Sequence, residues 1–431
     1  MNDTIKALPP KGRGPLGAGE MRLAYTMALP TLLIVMSIVL LPLLANFWIS
    51  FKPVELGDLR PPKILSNERL KPVPTAVGEQ AEISYRLRNT SQRGVFSEST
   101  LVDSLPAGLE ISGELDSRCR IESTELTCDL GTFEPKKRET LKLTVIATQV
   151  YLDDPVNPRA SKPVITGTAD SILTNSVFSL ENYRKVFSGS EFWKVLRVSL
   201  YYTVFGTVGA IVFGLFAAQL LSTAFPGRGV VRGLFLFPYV APVIAVAFAW
   251  VLILDAGPGG TVNAILMKIG ATDGPINFLG QRSTPISLFG LTFNFPVALT
   301  TVISFEVWRY FPLSFLFILA RMQSVSSDTY EAAEMDGATP LQQFWYISLP
   351  QLAGILAVIF LLRFIWTFNK FDDIFLLTGG AAGTRTLTVD IYEQAFAVSN
   401  LGAGAAVAVV VFFILLISAL LIFKFSPADE G

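Results

Sequence analysis

The chain has 431 residues, 51% of them hydrophobic and only 16% charged, with a mean hydropathy of +0.50 and a formal net charge of −1. That balance points to a polytopic membrane protein and leaves no basic footprint for nucleic acid. His is absent from the whole sequence, which removes imidazole acid–base chemistry and His-ligated metals. No Walker-type phosphate loop is present either, so no catalytic residue, metal site or bound cofactor is expected on this chain.

Residues 1–22 read as a polar, basic tail carrying Lys6, Lys11 and Arg13. Gly12-Arg-Gly14-Pro-Leu-Gly17 has the form of a dinucleotide-binding GxGxxG, but it follows no strand and contains Pro, so it belongs to the tail. The apolar run Leu23–Ile49 exceeds the roughly 20 residues a bilayer crossing needs, and it lacks a small-residue cleavage site, which favours a retained anchor over a signal peptide.

Residues 52–176 form a soluble insert. A Pro61-Pro62 linker is followed by alternating segments that put Ile83, Tyr85 and Leu87 on one face and Leu141, Leu143 and Val145 on another. Short strands broken by Gly, Pro and Asn imply a β-sandwich. The only two cysteines, Cys119 and Cys128, fall here; in an oxidising compartment they form a disulfide stapling a hairpin, the alternative being two small buried thiols. Asn89-Thr90-Ser91 fits a glycosylation sequon.

Residues 177–431 hold the remaining candidate spans, Val198–Leu221, Leu234–Leu254, Pro296–Ala320, Leu352–Thr367 and Ala403–Phe423, making six with the first. In the outer loop between the third and fourth, Thr261–Ile269 reads as a short amphipathic helix. Lys11, Arg13, Arg22, Arg228, Arg232, Arg321 and Lys424 fall on one side if all six segments cross, which makes that side the cytoplasm and the insert extracytoplasmic. The loop 330–350 lies on the same cytoplasmic side. It is too polar for membrane core and reads as a helix from Tyr330, a turn at Asp336-Gly337, and a second helix entry with Phe344, Trp345, Ile347 and Leu349 on an apolar face, punctuated by Pro350.

Ionisable groups inside spans are costly and read as functional, with mutual ion pairing as the plain alternative. Glu306, Arg309 and Tyr310 share a face of the fourth span; Arg363, Thr367 and Lys370 share a face of the fifth. Glu306 is placed to neutralise Arg309 or Arg363. Two Arg and one Lys beside one Glu also suit an anionic or highly hydroxylated ligand.

Glu331-Ala332-Ala333, Asp336-Gly337-Ala338, Phe344 and Ile347 with Leu349-Pro350 resemble the EAA loop of ATP-binding cassette (ABC) sugar importer permeases. Leu180–Phe187, Asn369–Asp373, Leu377–Gly380 and Thr384–Phe396 continue the resemblance. It implies the type I ABC importer permease fold: an all-α polytopic membrane protein of about six transmembrane helices, here with an extracytoplasmic β-sandwich insert. It also implies a second permease subunit, two ATPase subunits that bind ATP and Mg and dock at Glu331, Ala332, Ala333, Asp336 and Gly337, an external substrate-binding protein, and a sugar-like substrate. Alternating access of rigid helix bundles is the implied mechanism. The chain is similar to maltose-importer membrane subunits, whose sugar contacts align with Tyr239, Glu306, Arg309, Tyr310, Arg363, Thr367 and Lys370, although several of these positions are charged here. The location implied is the bacterial inner membrane. Within the insert, Gly78-Glu79, Asn89-Thr90, Asp103–Gly108 and Cys128–Gly131 resemble an immunoglobulin-like repeat of bacterial surface proteins. Two other classes remain at this point: an importer of another solute such as an amino acid or polyamine, and a membrane-anchored surface interaction protein. A membrane enzyme finds no nucleophile or metal constellation.

Overall fold

The computed structural model describes residues 15–91, 93–157, 162–288 and 291–425. Lys6, Lys11 and Arg13 of the tail lie outside the described residues. Helix α1 (Pro15–Val35) passes through a π turn at Met36–Leu40 into α2 (Leu41–Ser50). Pro42 lacks an N–H and its ring crowds the carbonyl four residues back, so the helix widens just before it. Leu23–Ser50 is long and apolar enough to cross a membrane, and its apolar side chains are almost all exposed.

The insert follows as β1 (Ile64–Lys71), β2 (Gln80–Asn89), β3 (Phe96–Ser104), β4 (Leu109–Ile111), β5 (Cys119–Glu122), β6 (Glu125–Phe133), β7 (Arg138–Ala147), the short helix α3 (Gln149–Asp153) and β8 (Val164–Ala169). Two four-stranded antiparallel sheets, ordered β1-β2-β7-β4 and β5-β6-β3-β8, close over one core as a β-sandwich. The alternation in the sequence sets this register: Ile83 pairs with Leu143 and Tyr85 with Leu141, all facing inward against Leu101, Leu126 and Phe133 of the other sheet. Each such side chain contributes about 1.5–3 kcal/mol on burial. The Tyr85 hydroxyl donates to Asp103 Oδ2 at 2.7 Å across the sheets, and burial, followed by that carboxylate, raises the phenol well above its usual pKa. Asn89 is buried, with Nδ2 within 2.9–3.1 Å of the carbonyls of Gly94, Phe133 and Glu134, so the sequon asparagine is consumed by the fold. Cys119 and Cys128 are cross-strand partners in the β5–β6 hairpin and form a disulfide.

Lys52 fastens the insert to the membrane helices. It is fully buried, and its Nζ donates to the carbonyl of Ile172 at 3.0 Å, to the carbonyl of Asn175 and to Asn175 Oδ1, while lying 4.6 Å from the Trp48 ring centroid. Three donors meet three acceptors, which is what makes a buried ammonium tolerable. Asn182 adds bonds to the carbonyls of Ser50 and Lys52. The sequence alone gave Lys52 no role beyond opening the insert.

The second part of the chain runs α4 (Glu181–Ser188), α5 (Ser190–Ser222), α6 (Arg228–Val240), α7 (Val243–Ile253), α8 (Thr261–Lys268), the hairpin β9 (Thr284–Leu288) and β10 (Leu291–Phe295), and α9 (Val297–Met322). It continues with α10 (Ser327–Met335), α11 (Pro340–Gln343), a π turn at Phe344–Ser348, α12 (Leu349–Phe368), α13 (Asp372–Thr378), α14 (Leu387–Tyr392) and α15 (Leu401–Phe425). Among the described residues five helices are long and apolar enough to cross a membrane, or six if the bent pair α6–α7 counts as one.

That pair lies over the expected span Leu234–Leu254, and its two helices meet at 94°. Pro242 bars the helical conformation at Ala241, which sits extended at φ −62°, ψ 143°, and it has no N–H to continue the ladder. The fifth span is corrected. It does not begin at Leu352, and Pro350 does not stop a helix; a helical run from Pro340 reaches Phe368, the π turn absorbing the ring of Pro350 as the earlier one absorbs Pro42.

Helix α5 presents Gly206, Ala210, Gly214 and Ala217 as a buried stripe of small residues to α9. A Cβ at Gly214 would sit 2.8 Å from the backbone nitrogen of Phe315, so the two backbones approach closely. This packing, with α12 alongside, positions the polar groups described next.

Candidate functional site

At the centre of the helical part, the fully buried Glu306 of α9 accepts three hydrogen bonds. Arg363 Nη2 of α12 donates to Oε1 at 2.7 Å, Thr367 Oγ1 of α12 donates to the same oxygen at 2.9 Å, and the Tyr202 hydroxyl of α5 donates to Oε2 at 2.8 Å. Gly206 makes room for this carboxylate: a Cβ there would lie 2.9 Å from Glu306 Cγ. Of the two cations the sequence offered, Glu306 thus pairs with Arg363, and the set pins three helices within one subunit.

Arg309 has a different task. Its Nη2 donates to the carbonyl of Ala241 at 3.1 Å and its Nη1 to that of Pro238 at 3.4 Å. Pro242 cannot donate to the Pro238 carbonyl, and the guanidinium takes its place, a cation on the carbonyl end of α6.

Lys370 follows α12 and lies 4.4 Å from the ring centroid of Tyr310, with Asp372 at 3.8 Å and Asp373 at 3.9 Å. Arg363 and Arg309 flank the same ring at 4.6 and 5.5 Å, and Tyr239 meets it edge-on at 6.1 Å between centroids. Asp373 is fully buried; neither of its oxygens has a hydrogen-bond partner among the described residues, and Arg309 Nε stands 4.0 Å away. The sequence reading set two Arg and one Lys against one Glu. The structure adds two carboxylates: Arg309, Arg363 and Lys370 face Glu306, Asp372 and Asp373. Tyr202, Gly206 and Asp373 were missed. An ionisable residue just past the fifth span was the signal available for Asp373, whereas nothing local marks Tyr202 or Gly206.

All seven residues considered for a substrate pathway therefore gather in one region, at unequal depth. Glu306, Arg363 and Thr367 are sealed inside, Arg309 and Tyr310 are nearly so, and Tyr239 is 38% exposed. Lys370 keeps 20% of its side chain accessible.

The second cluster is the loop between α9 and α12. Ser326 caps α10, and Thr339 and Gln342 form a reciprocal capping box on α11. Between them Gly337 adopts φ +81°, and the amides of Gly337 and Ala338 bond to the carbonyls of Glu334 and Ala333, closing the helix end. Tyr330 OH lies 3.0 Å from Ser348 Oγ, bracing α10 on the π turn before α12. Glu331, Ala332, Asp336 and Gly337 are exposed and Ala333 is half-buried. Met335, Leu341, Trp345 and Tyr346 stand out into solvent, Met335 at 89% and Tyr346 at 81% exposure.

Several apolar helices around a sealed ionic centre, with a capped polar loop projecting from two of them, define a multi-pass membrane protein of the transport class. The chain belongs to the family described as the binding-protein-dependent transport system inner membrane component, matched over residues 210–427, and is a transport subunit. It is 33% identical over 250 residues to the inner membrane ABC transporter permease protein YcjO of Escherichia coli strain K12, covering 56% of this chain and 78% of that one. It is 34% identical over 238 residues to the trehalose/maltose transport system permease protein MalF of Thermococcus litoralis, covering 55% and 75%. A crystal structure of a bacterial ABC transporter that imports the acidic polysaccharide alginate shares the fold, with a TM-score of 0.52 at 19% identity over 60% of this chain and 86% of that one. The sandwich lies outside the family match.

Proposed function

We propose that this chain is one of two permease subunits of an ATP-driven importer that carries a neutral sugar. The observation that carries the substrate class is the balance of three cations and three carboxylates around Tyr310, which leaves no surplus positive charge for an anion. The relative that transports trehalose and maltose supports the same class. Tyr239, Tyr310 and Lys370 face the pathway, aromatic rings and a lysine suiting sugar faces and hydroxyls. Asp373, which no described residue donates to, accepts a substrate hydroxyl once the helices part. Glu306, Arg363 and Thr367 hold the helices, and Arg309 holds the broken one.

The loop around Glu331, Ala332, Ala333, Asp336 and Gly337 acts as the EAA coupling element, and its exposed Met335, Leu341 and Tyr346 enter a cleft on an ATPase subunit that binds ATP and Mg. The amino terminus and this loop are cytoplasmic. The sandwich, a relative of immunoglobulin-like surface repeats, is extracytoplasmic, on the side where a substrate-binding protein delivers its cargo. ATP-driven approach of the coupling loops rocks the helix bundles between inward- and outward-facing states.

The test is ATPase activity of the purified complex in nanodiscs with binding protein loaded with neutral or anionic sugars. Stimulation by neutral sugars alone is expected. Stimulation by an anionic sugar alone overturns the substrate class, and failure to co-purify any ATPase from mild detergent overturns the importer reading.

A further inference from the structure

We propose that the membrane-proximal end of the sandwich is a binding face for anionic phospholipid headgroups, centred on Arg86, Arg88 and Arg138. Arg88 of β2 and Arg138 of β7 are direct cross-strand partners, and Arg86 lies two residues along on the same face. Like charges placed opposite one another destabilise a sheet, so such a pair calls for a counter-charge. None of the three forms an ion pair with any described residue. Glu139, the carboxylate that lines the same concavity, is engaged elsewhere, with Lys137 and Arg118. All three arginines are exposed on the outer face of the sheet, where they line a concavity of about 500 Å³ together with Leu65, Asn67 and Thr140.

Position selects the occupant. Arg88 and Arg138 occupy the rung next to Ile64 and Asn89, where β1 leaves the linker from α2. That linker is bonded to the start of α15, the amide of Leu56 to the carbonyl of Ser399 and the amide of Gly402 to the carbonyl of Val54, both at 2.9 Å. The returning segment is held at the end of α2 by Lys52 and by Trp48 Nε1, which donates to the carbonyl of Leu173 at 2.8 Å. The arginine end of the sandwich therefore points toward the bilayer. The opposite end, at the β5–β6 turn and β4, exposes Glu110, Glu122 and Glu125. A domain basic at its membrane end and acidic at its far end is oriented by an anionic surface.

The purified full-length chain, labelled with a donor fluorophore at Thr124→Cys on the far turn, is placed in nanodiscs with an acceptor on the lipid headgroups. Phosphatidylglycerol is titrated into phosphatidylcholine and energy transfer is read. The expected result is a change in transfer with rising phosphatidylglycerol that vanishes at 1 M salt, where the screening length falls to about 3 Å. Each basic residue near an anionic surface changes binding about fivefold, so Arg86→Gln/Arg88→Gln/Arg138→Gln shifts the titration midpoint strongly upward. The corresponding Arg→Lys triple variant retains the wild-type response. Thermal melting of the sandwich checks that both variants fold. Identical transfer in the two lipids, or a Gln variant with the wild-type titration, overturns the proposal. So does an unchanged lipid response accompanied by loss of an acidic protein that co-purifies with the wild type, which assigns the face to a protein partner.

Discussion

Replacing Arg363 by Met leaves Glu306 buried with two neutral donors, Thr367 and Tyr202, and no counter-charge. Breaking a buried pair from one side costs about 3–5 kcal/mol, because the remaining charge stays desolvated. At about 2–4 °C per kcal/mol for a unit of this size, the helical part should melt roughly 6–20 °C lower in nanodiscs. The double variant Arg363→Met/Glu306→Gln removes both charges. It should recover most of that loss, giving a coupling energy of about 2–3 kcal/mol in a double-mutant cycle. A melting temperature for Arg363→Met equal to wild type would refute the reasoning, as would a double variant no more stable than the single. Transport separates the two roles available to Glu306. A helix pin predicts that activity follows stability across these variants. A direct substrate ligand predicts that uptake stays abolished in Arg363→Met/Glu306→Gln even though its melting temperature recovers.

The disulfide closes a loop with a sequence separation of 9, so Cys119→Ser/Cys128→Ser should lower sandwich stability by about 2–3 kcal/mol, and denaturant titration with and without reductant reads this directly. Gly337→Val places a β-branched residue at φ +81°; it should cost about 1–2 kcal/mol locally and uncouple substrate-stimulated ATP hydrolysis while leaving the chain folded. Asp116 is held at a pKa of about 2 by the Arg118 guanidinium. Its folded pKa is below the unfolded one, so its contribution is present above pH 4 and is lost as pH falls from about 4 to about 2. Melting of the sandwich across that window should be less pH-dependent in Asp116→Asn than in the wild type.

Much of the local structure was legible because the backbone repeats within a few residues. Alternation over Ile83–Leu87 and Leu141–Val145 placed inward faces, and hydropathy located the apolar helices. The turn at Asp336-Gly337 followed from the positive φ that Gly alone adopts at little cost. The break in one span and the early start of another also have local causes. Pro350 was taken as a stop, whereas a π turn absorbs it, and Pro242, inside an apolar run, folds the helix back on itself. Which cation Glu306 takes was open in the sequence, because Arg309 and Arg363 carry the same charge and each lies on the polar face of its span. Tertiary packing decided it: the small-residue stripe of α5 brings α9 close, and Arg363 and Tyr202, 57 and 104 residues from Glu306 in the chain, meet it there. Arg309 is drawn instead to carbonyls exposed by the break at Pro242. The charge of the site depended on Asp373, whose position against Lys370 and Arg309 follows from how α13 docks. Periodicity fixes which face of an element is apolar, but the meeting of two faces is set by shape and by the cost of leaving a buried charge unpaired.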